Sequence, residues 1–200
     1  MTYPDKPANN QYPIAEIIKN RWSPRLFADS LVEVEKVMSL FEAARWTQSS
    51  RNEQPWRFVY AAKDDPENFN RLSGFLNQGN AWANQASLLI VIFTKRIFDF
   101  DGKSNYNAMY DTGAAANNLF LEAVHQGLVA HEMIGFNKER AEKELGAPDN
   151  FKVAVMMAVG YPAGLSHLKK MDAAFQEREL AKRQRLSIEE IVFKGKFNVY

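Results

Sequence analysis

The chain has 200 residues, 46% of them hydrophobic, and its 25 Lys+Arg against 24 Asp+Glu leave a formal charge of +1. So even a balance excludes a globally basic nucleic-acid binder, and any anion must be met locally. With no cysteine there is no disulfide framework, thiolate metal site or cysteine nucleophile, and the three histidines would need carboxylates to hold a metal.

At this length one domain over residues 1–200 is expected, closing in an extended C-terminal segment over about 186–200. The opening MTYPDKPANNQYP lacks the charged and apolar regions of a signal peptide, so a cytoplasmic location is the default expectation. The apolar run Leu88 to Phe93 is too short to span a bilayer, and neither membrane nor nucleic acid is expected as a partner.

Residues 14–21 read as a short helix with Ile14, Ile17 and Ile18 on one face, delivering Arg21 at its end. Pro24 disfavours helix at Ser23, so Arg21 to Arg25 forms a bend able to surround an anion. Asp29 or Ser30 is a candidate cap for a helix carrying Leu31, Val34, Val37, Met38, Phe41 and Ala44. The polar run Ser49-Ser50-Arg51-Asn52-Glu53-Gln54-Pro55-Trp56 ends it, ahead of a strand over 57–62.

Asp64-Asp65-Pro66-Glu67 starts a helix through Phe69, Leu72, Phe75 and Leu76, and Gly79-Asn80 marks a turn. After a short helical piece at Trp82 to Gln85, the continuous apolarity of Leu88 to Phe93 predicts a central strand covered on both faces. Residues 95–105 read as an exposed connection. The longest helical pattern runs from Tyr106 to about His125, with Met109, Ala116, Leu119, Phe120 and Ala123 in the apolar register. Its middle, Gly113 to Asn118, has little bulk, and a helix-interior glycine costs about 1 kcal/mol relative to alanine. Close approach of another helix, or of the same helix of a second subunit, would offset that cost.

Gly127 to Ala130 leads into His131-Glu132-Met133-Ile134-Gly135-Phe136, then a charged helix from Lys138 to Leu145 closed by Gly146. Val153 to Val159 reads as a second apolar strand, 171–182 as a charged helix, and the tail as a turn followed by extended chain. Three or four strands interleaved with helices imply a layered α/β sandwich whose strand order the spacing leaves open.

Arg183 and Arg185 can face one phosphate from an extended or turning backbone, and arginine suits phosphate through bidentate contacts. An arginine pair after a charged helix is equally what a solvated surface presents. Ser49, Ser50, Asn52 and Gln54 supply donors and acceptors fit for a heteroaromatic edge and a polyhydroxylated chain, though serine and asparagine also serve simply as turn formers. His131 could line a site. No histidine adjoins a serine in a way that supports a hydrolase triad.

From about Ile14 to Phe197 the chain resembles the nitroreductase family of FMN-dependent oxidoreductases. The resemblance is carried by Arg21-x-Ser23-x-Arg25, by Ser49-Ser50-x-Asn52-x-Gln54-Pro55-Trp56, and by Gly79-Asn80-Ala81-Trp82. Asp111 to Ala115, Gly127-Leu128 through His131-x-Met133-x-Gly135-Phe136, Gly160-Tyr161-Pro162 and Arg183-x-Arg185 complete it. It implies an α+β fold, a three-layer α-β-α sandwich with a mainly antiparallel central sheet and a long helix at the core of a homodimer. Two FMN sites would lie at the subunit interface. Arg21, Ser23, Arg183 and Arg185 would hold the phosphate and ribityl chain with Trp22 and Arg25 beside them. Ser49, Ser50 and Asn52 would reach the flavin from the partner subunit, Gln54 would also bind the cofactor, and Asn80 would meet the pyrimidine edge.

The resemblance further implies a ping-pong hydride transfer from NADH or NADPH through flavin N5 to an electron-poor small molecule such as a nitroaromatic or quinone. It places the N5 environment near Glu132, Met133, Ile134 and Gly135, with no side-chain nucleophile and no metal. That segment departs from the shorter glutamate-glycine pattern of the better-known nitroaromatic reducers. The alternative is an FMN-binding protein with a regulatory or storage role and little turnover.

Overall fold

The structure, a computed structural model, describes residues 5–197; positions 1–4 and the last three of the expected C-terminal segment, 198–200, lie outside the described residues. A four-stranded sheet is built from β1 (Trp56–Ala62), β2 (Leu88–Lys95), β3 (Val129–Met133) and β4 (Phe151–Gly160). The strands pair antiparallel throughout, in the order β1-β2-β4-β3. Every residue of β2 is buried, as a strand covered on both faces must be. Alternation divides its side chains between two cores. Leu88, Ile90 and Ile92 join Val37, Leu40, Leu119 and Phe120, whereas Leu89, Val91 and Phe93 join Phe69, Leu72, Phe75 and Ala141.

Those partners sit on helices. After the short α1 (Glu16–Asn20), α2 (Val34–Arg45) and α4 (Ala108–His125) cover one face of the sheet, with α3 (Pro66–Ser73) and α5 (Lys138–Glu144) on the other. The result is a three-layer α+β sandwich. The chain closes with α6 (Leu165–Leu168), α7 (Ala173–Leu180) and α8 (Ile188–Ile191). A small third core of Leu26, Ala163, Leu168 and Phe175 packs the segment before α2 against this C-terminal stretch.

Local chemistry explains most boundaries. Asp65 caps α3 by accepting from the Asn68 N–H, with Pro66 in the first turn, and Asn137 and Asp172 cap α5 and α7 in the same way. Gly146 takes the left-handed conformation (φ +67°) that stops α5. The start of α2 differs from expectation. Its N-cap is Glu33, which makes no side-chain capping bond, and Leu31 lies outside the helix. Asp29 instead pairs with Lys63, and the Ser30 carbonyl accepts from the Ser87 hydroxyl, so neither serves as a cap.

Two apolar patterns point away from the core. Met109, placed in the buried register by periodicity, is 53% exposed, as are Ile14 at 40% and Ile18 at 48%. The tail turn is α8, opened by a capping box between Ser187 and Glu190; Val192 is extended, and bends follow at 194–196.

Candidate functional site

The Arg21 to Arg25 bend is fixed from three sides. Arg21 follows α1 with extended geometry, its N–H bonded to the Ile17 carbonyl. Leu26 and Phe27 are buried, and Phe27 pairs with Pro162 just beyond β4. From β3, the His131 ring sets Nδ1 3.0 Å from the Pro24 carbonyl and packs 4.6 Å from the Trp82 ring. Nδ1 therefore carries the proton in the neutral ring. Burial, the largest influence, holds the His131 pKa below its ordinary value.

Arg25 is spent within the fold. Its backbone N–H donates to Glu179 Oε1 at 2.9 Å and its guanidinium lies 3.6 Å from the other carboxylate oxygen, with Glu179 1% exposed on α7. Burying that acid is sustained by charge pairing. Lys6 donates to the Glu179 carbonyl at 2.8 Å and lies 4.3 Å over the Trp22 ring. Arg25 is thus held to α7 through Glu179 and serves as a strut of the bend.

Arg21, Arg183 and Arg185 come together from opposite ends of the sequence. Arg21 lies 4.9 Å from the Phe120 ring of α4 and donates to the Ser23 hydroxyl at 3.4 Å. Arg183 donates to the carbonyls of Lys6 and Lys19 at 2.8 and 2.9 Å, fastening the C-terminal stretch to the N-terminal one. Burial lowers the Arg21 pKa first, and the neighbouring positive charges of Arg183 and Arg185 lower it further, opposed by Glu132. The same burial pushes the Glu132 carboxyl up while Arg21 pulls it down, although this side chain keeps solvent access in the single chain. Arg21 thus feels two further positive charges and one opposing carboxylate, Glu132, a local excess of positive charge that a doubly charged phosphate ester suits.

Beyond β3, Gly135 meets a pair of amides. Its carbonyl accepts from Asn80 Nδ2 at 2.9 Å and from the Asn77 N–H at 3.2 Å. A Cβ here would stand 2.6 Å from Asn77 Nδ2 and 2.7 Å from Asn80 Nδ2, so any side chain would push both amides out of this arrangement. Asn80 is thereby tied to the 132–135 segment. Met133 is buried in the core and Ile134 is 78% exposed.

The serine loop is held apart from the arginines. The Ser50 N–H donates to Asp111 at 2.9 Å, the Gln54 N–H to the Ser49 hydroxyl at 3.0 Å, and Gln54 Nε2 to the Asn52 carbonyl at 3.0 Å. Arg51, Asn52 and Gln54 all adopt positive φ, at 54°, 57° and 48°. Three non-glycine residues in that region cost on the order of 1–3 kcal/mol each and mark a loop whose shape is imposed. Asp111 and Phe120 anchor the two groups to the same helix, and the rise between them is about 13 Å. One chain therefore assembles an arginine group and a serine group without joining them.

Sequence reasoning missed Lys6, Glu179 and Asn77. Lys6 and Glu179 act across more than 170 and 150 positions respectively, which no local pattern reports. Asn77, three residues before Asn80, was the nearest to a readable signal.

The model of the nitroreductase family matches residues 18–78 and 74–161. An uncharacterized 15.4 kDa protein of Mycolicibacterium smegmatis is 36% identical over 134 residues, covering 66% of this chain and 85% of that protein. A protein of Archaeoglobus fulgidus, provisionally named NADH dehydrogenase/NAD(P)H nitroreductase, is 26% identical over 165 residues, covering 80% and 91%. The crystal structure of an oxidoreductase containing FMN superposes with a TM-score of 0.89 at 33% identity, covering 99% of both chains. With the family's pattern spread over most of the chain and the same architecture in a solved relative, this protein belongs to the nitroreductase family.

Proposed function

We propose that the protein is an FMN-dependent oxidoreductase, acting as a homodimer, that passes reducing equivalents from NADH or NADPH to an electron-poor acceptor such as a nitroaromatic or a quinone. The carrying observation is that Arg183 donates to the Lys19 carbonyl at 2.9 Å, two residues before Arg21, so that arginines from opposite ends of the chain meet, with the charge of Arg185 also acting on Arg21. FMN, when bound, supplies the hydride chemistry, and the protein's part is binding, orientation and electrostatics.

Arg21, Arg183 and Arg185, with the Ser23 hydroxyl, would hold the phosphate, and Trp22 lies beside them under Lys6. Asn80, oriented by the Gly135 carbonyl, has its amide placed at the mouth of the 132–135 segment, where it would meet the ring's polar edge. That segment would offer backbone N–H groups to the reacting face. Ser49, Ser50, Asn52 and Gln54 would complete the pocket from the partner subunit, since their own chain keeps them on the far half of α4. The solvent-facing stripe of Met109, Tyr110, Gly113 and Asn117 on that helix supports such pairing.

The test begins with a flavin spectrum of the purified protein and identification of the released cofactor, followed by anaerobic addition of NADH or NADPH. Bleaching, and recovery of the yellow colour on adding a nitro compound or quinone, is the expected result. A yellow protein inert to both nucleotides would leave only a binding or storage role, and a colourless protein with no FMN affinity would end the reading altogether.

A further inference from the structure

A second cleft opens beside the serine loop. The chain between β2 and α4 folds into a small hairpin: Ile97 bridges Ser104, the Phe98 N–H donates to the Lys103 carbonyl at 2.8 Å, and Gly102 turns with φ +69°. Glu53 fastens this hairpin to the loop by accepting from the Asp99 N–H at 3.0 and 3.1 Å. Between them lies a solvent-facing cleft of about 630 Å³ whose walls include Arg51, Phe98, Phe100, Asp101, Lys103 and Tyr106. That is within the range of small-molecule sites.

Its walls have a definite chemistry. Phe98 and Phe100 pack at 5.1 Å with their planes tilted by 46°, and the Arg51 guanidinium stacks 4.9 Å over Phe100. In the single chain Phe100 and Tyr106 are 56% and 93% exposed. Arg51 takes part in none of the ion pairs found among the described residues, unlike Lys103, which is neutralised by Asp101 at 3.4 Å. A guanidinium held over a ring carries five N–H donors, and those not spent within the fold are available to an anionic acceptor. Arg51 is also one of the three residues held at positive φ, so the loop is bent at the position that presents this cation.

We propose that this cleft is a subsite for a flat aromatic ring carrying an anionic group, the ring packing against Phe100 and Tyr106 and the anion meeting Arg51. Its assignment to the substrate side rests on the oxidoreductase reading above, in which the adjoining serine loop faces the cofactor. Two sources share this chemistry: the phosphorylated adenosine end of the reduced nucleotide, and an aromatic acid serving as acceptor.

The test is calorimetric titration of the purified protein with adenosine 2′,5′-bisphosphate, with 4-nitrobenzoate and with uncharged nitrobenzene, repeated on Arg51→Gln, Arg51→Lys and Phe100→Leu. At least one anion should bind and weaken about tenfold in Arg51→Gln, with Arg51→Lys intermediate and nitrobenzene indifferent to both. Response of the nucleotide probe alone identifies the nucleotide as occupant, and response of the benzoate alone the acceptor. No anion binding, or equal affinity in wild type and Arg51→Gln, overturns the subsite. So does a changed monomer–dimer equilibrium with unaltered anion affinity, which would make this face a subunit contact. The two readings fail separately. A colourless protein that still binds the anion through Arg51 keeps the site and loses the reductase, whereas a flavoprotein bleached by NADH that binds neither anion keeps the reductase and loses the site.

Discussion

Arg183 and Arg185 divide two tasks that a single phosphate clamp would merge. Arg183 donates to the Lys6 and Lys19 carbonyls and so holds the two ends of the chain against each other, while among the described residues Arg185 bonds the neighbouring Gln184 carbonyl, at 2.6 Å, and remains exposed. Both lower the proton affinity of Arg21 by their charge. Replacing Arg183 and Arg185 together by alanine should weaken FMN retention by tenfold or more on the usual scale of charge-assisted contacts, read by titrating flavin fluorescence. Replacing the exposed Lys169 and Lys170 should change it little. The single Arg185→Ala variant separates charge from scaffolding, since it leaves the Arg183 fastening in place; its loss should shrink as salt is raised. Equal small effects from the arginine and lysine pairs would remove these arginines from the site.

At the scale of elements, β3 joins the sheet edge to the bend through the His131 contact with the Pro24 carbonyl. Burial lowers the folded-state pKa of His131, so as pH falls through the ordinary histidine value near 6.5 the unfolded chain takes up a proton that the folded one resists. Stability contributed above that value is lost on the acid side, down to the folded pKa. Glu132 works in the opposite sense, because an acid pushed up by burial makes stability fall as pH rises past its ordinary value of about 4.3. Melting temperatures recorded from about pH 7.5 to 5 should therefore decline, and His131→Gln should flatten that decline; an unchanged slope would free the ring of this role. Much at this scale was legible from the sequence. Asp65-Pro66 signals a helix start by its own chemistry, and Leu88 to Phe93 can hardly be anything but a doubly covered strand. The start of α2 was not legible, because Asp29 and Ser30 find partners in Lys63 and Ser87, far along the chain. β3 was hard to read as a strand for a related reason: it is a short edge element whose residues serve the sheet, the bend and the arginine group in turn. The arginines were readable as a group only through the family resemblance, and Lys6 and Glu179 were not readable at all.

For the whole molecule the decisive residue is Gly113. Among the described residues a Cβ built there meets nothing within 4 Å, so none of them explains a glycine inside an 18-residue helix. The flanking residues turn outward as well, with Tyr110 78% exposed, although a buried register was expected to include Met109. A lone subunit would gain about 1 kcal/mol of helix stability from a larger residue at this position. If instead a second copy packs its helix against this stripe, a branched side chain at Gly113 blocks the approach, and both flavin sites lose the serine loop that reaches them from across the interface. Gly113→Leu accordingly distinguishes the two architectures by sign. In a homodimer it should raise the dissociation constant by at least an order of magnitude and release flavin in parallel, with circular dichroism unchanged; in a functional monomer it should only raise the melting temperature. Sedimentation velocity over a dilution series, with bound-flavin absorbance followed in the same cell, reads both quantities. Flavin retained by a variant that sediments as a monomer would place the whole cofactor site within one chain, contrary to the separation of Asp111 from Phe120 along α4.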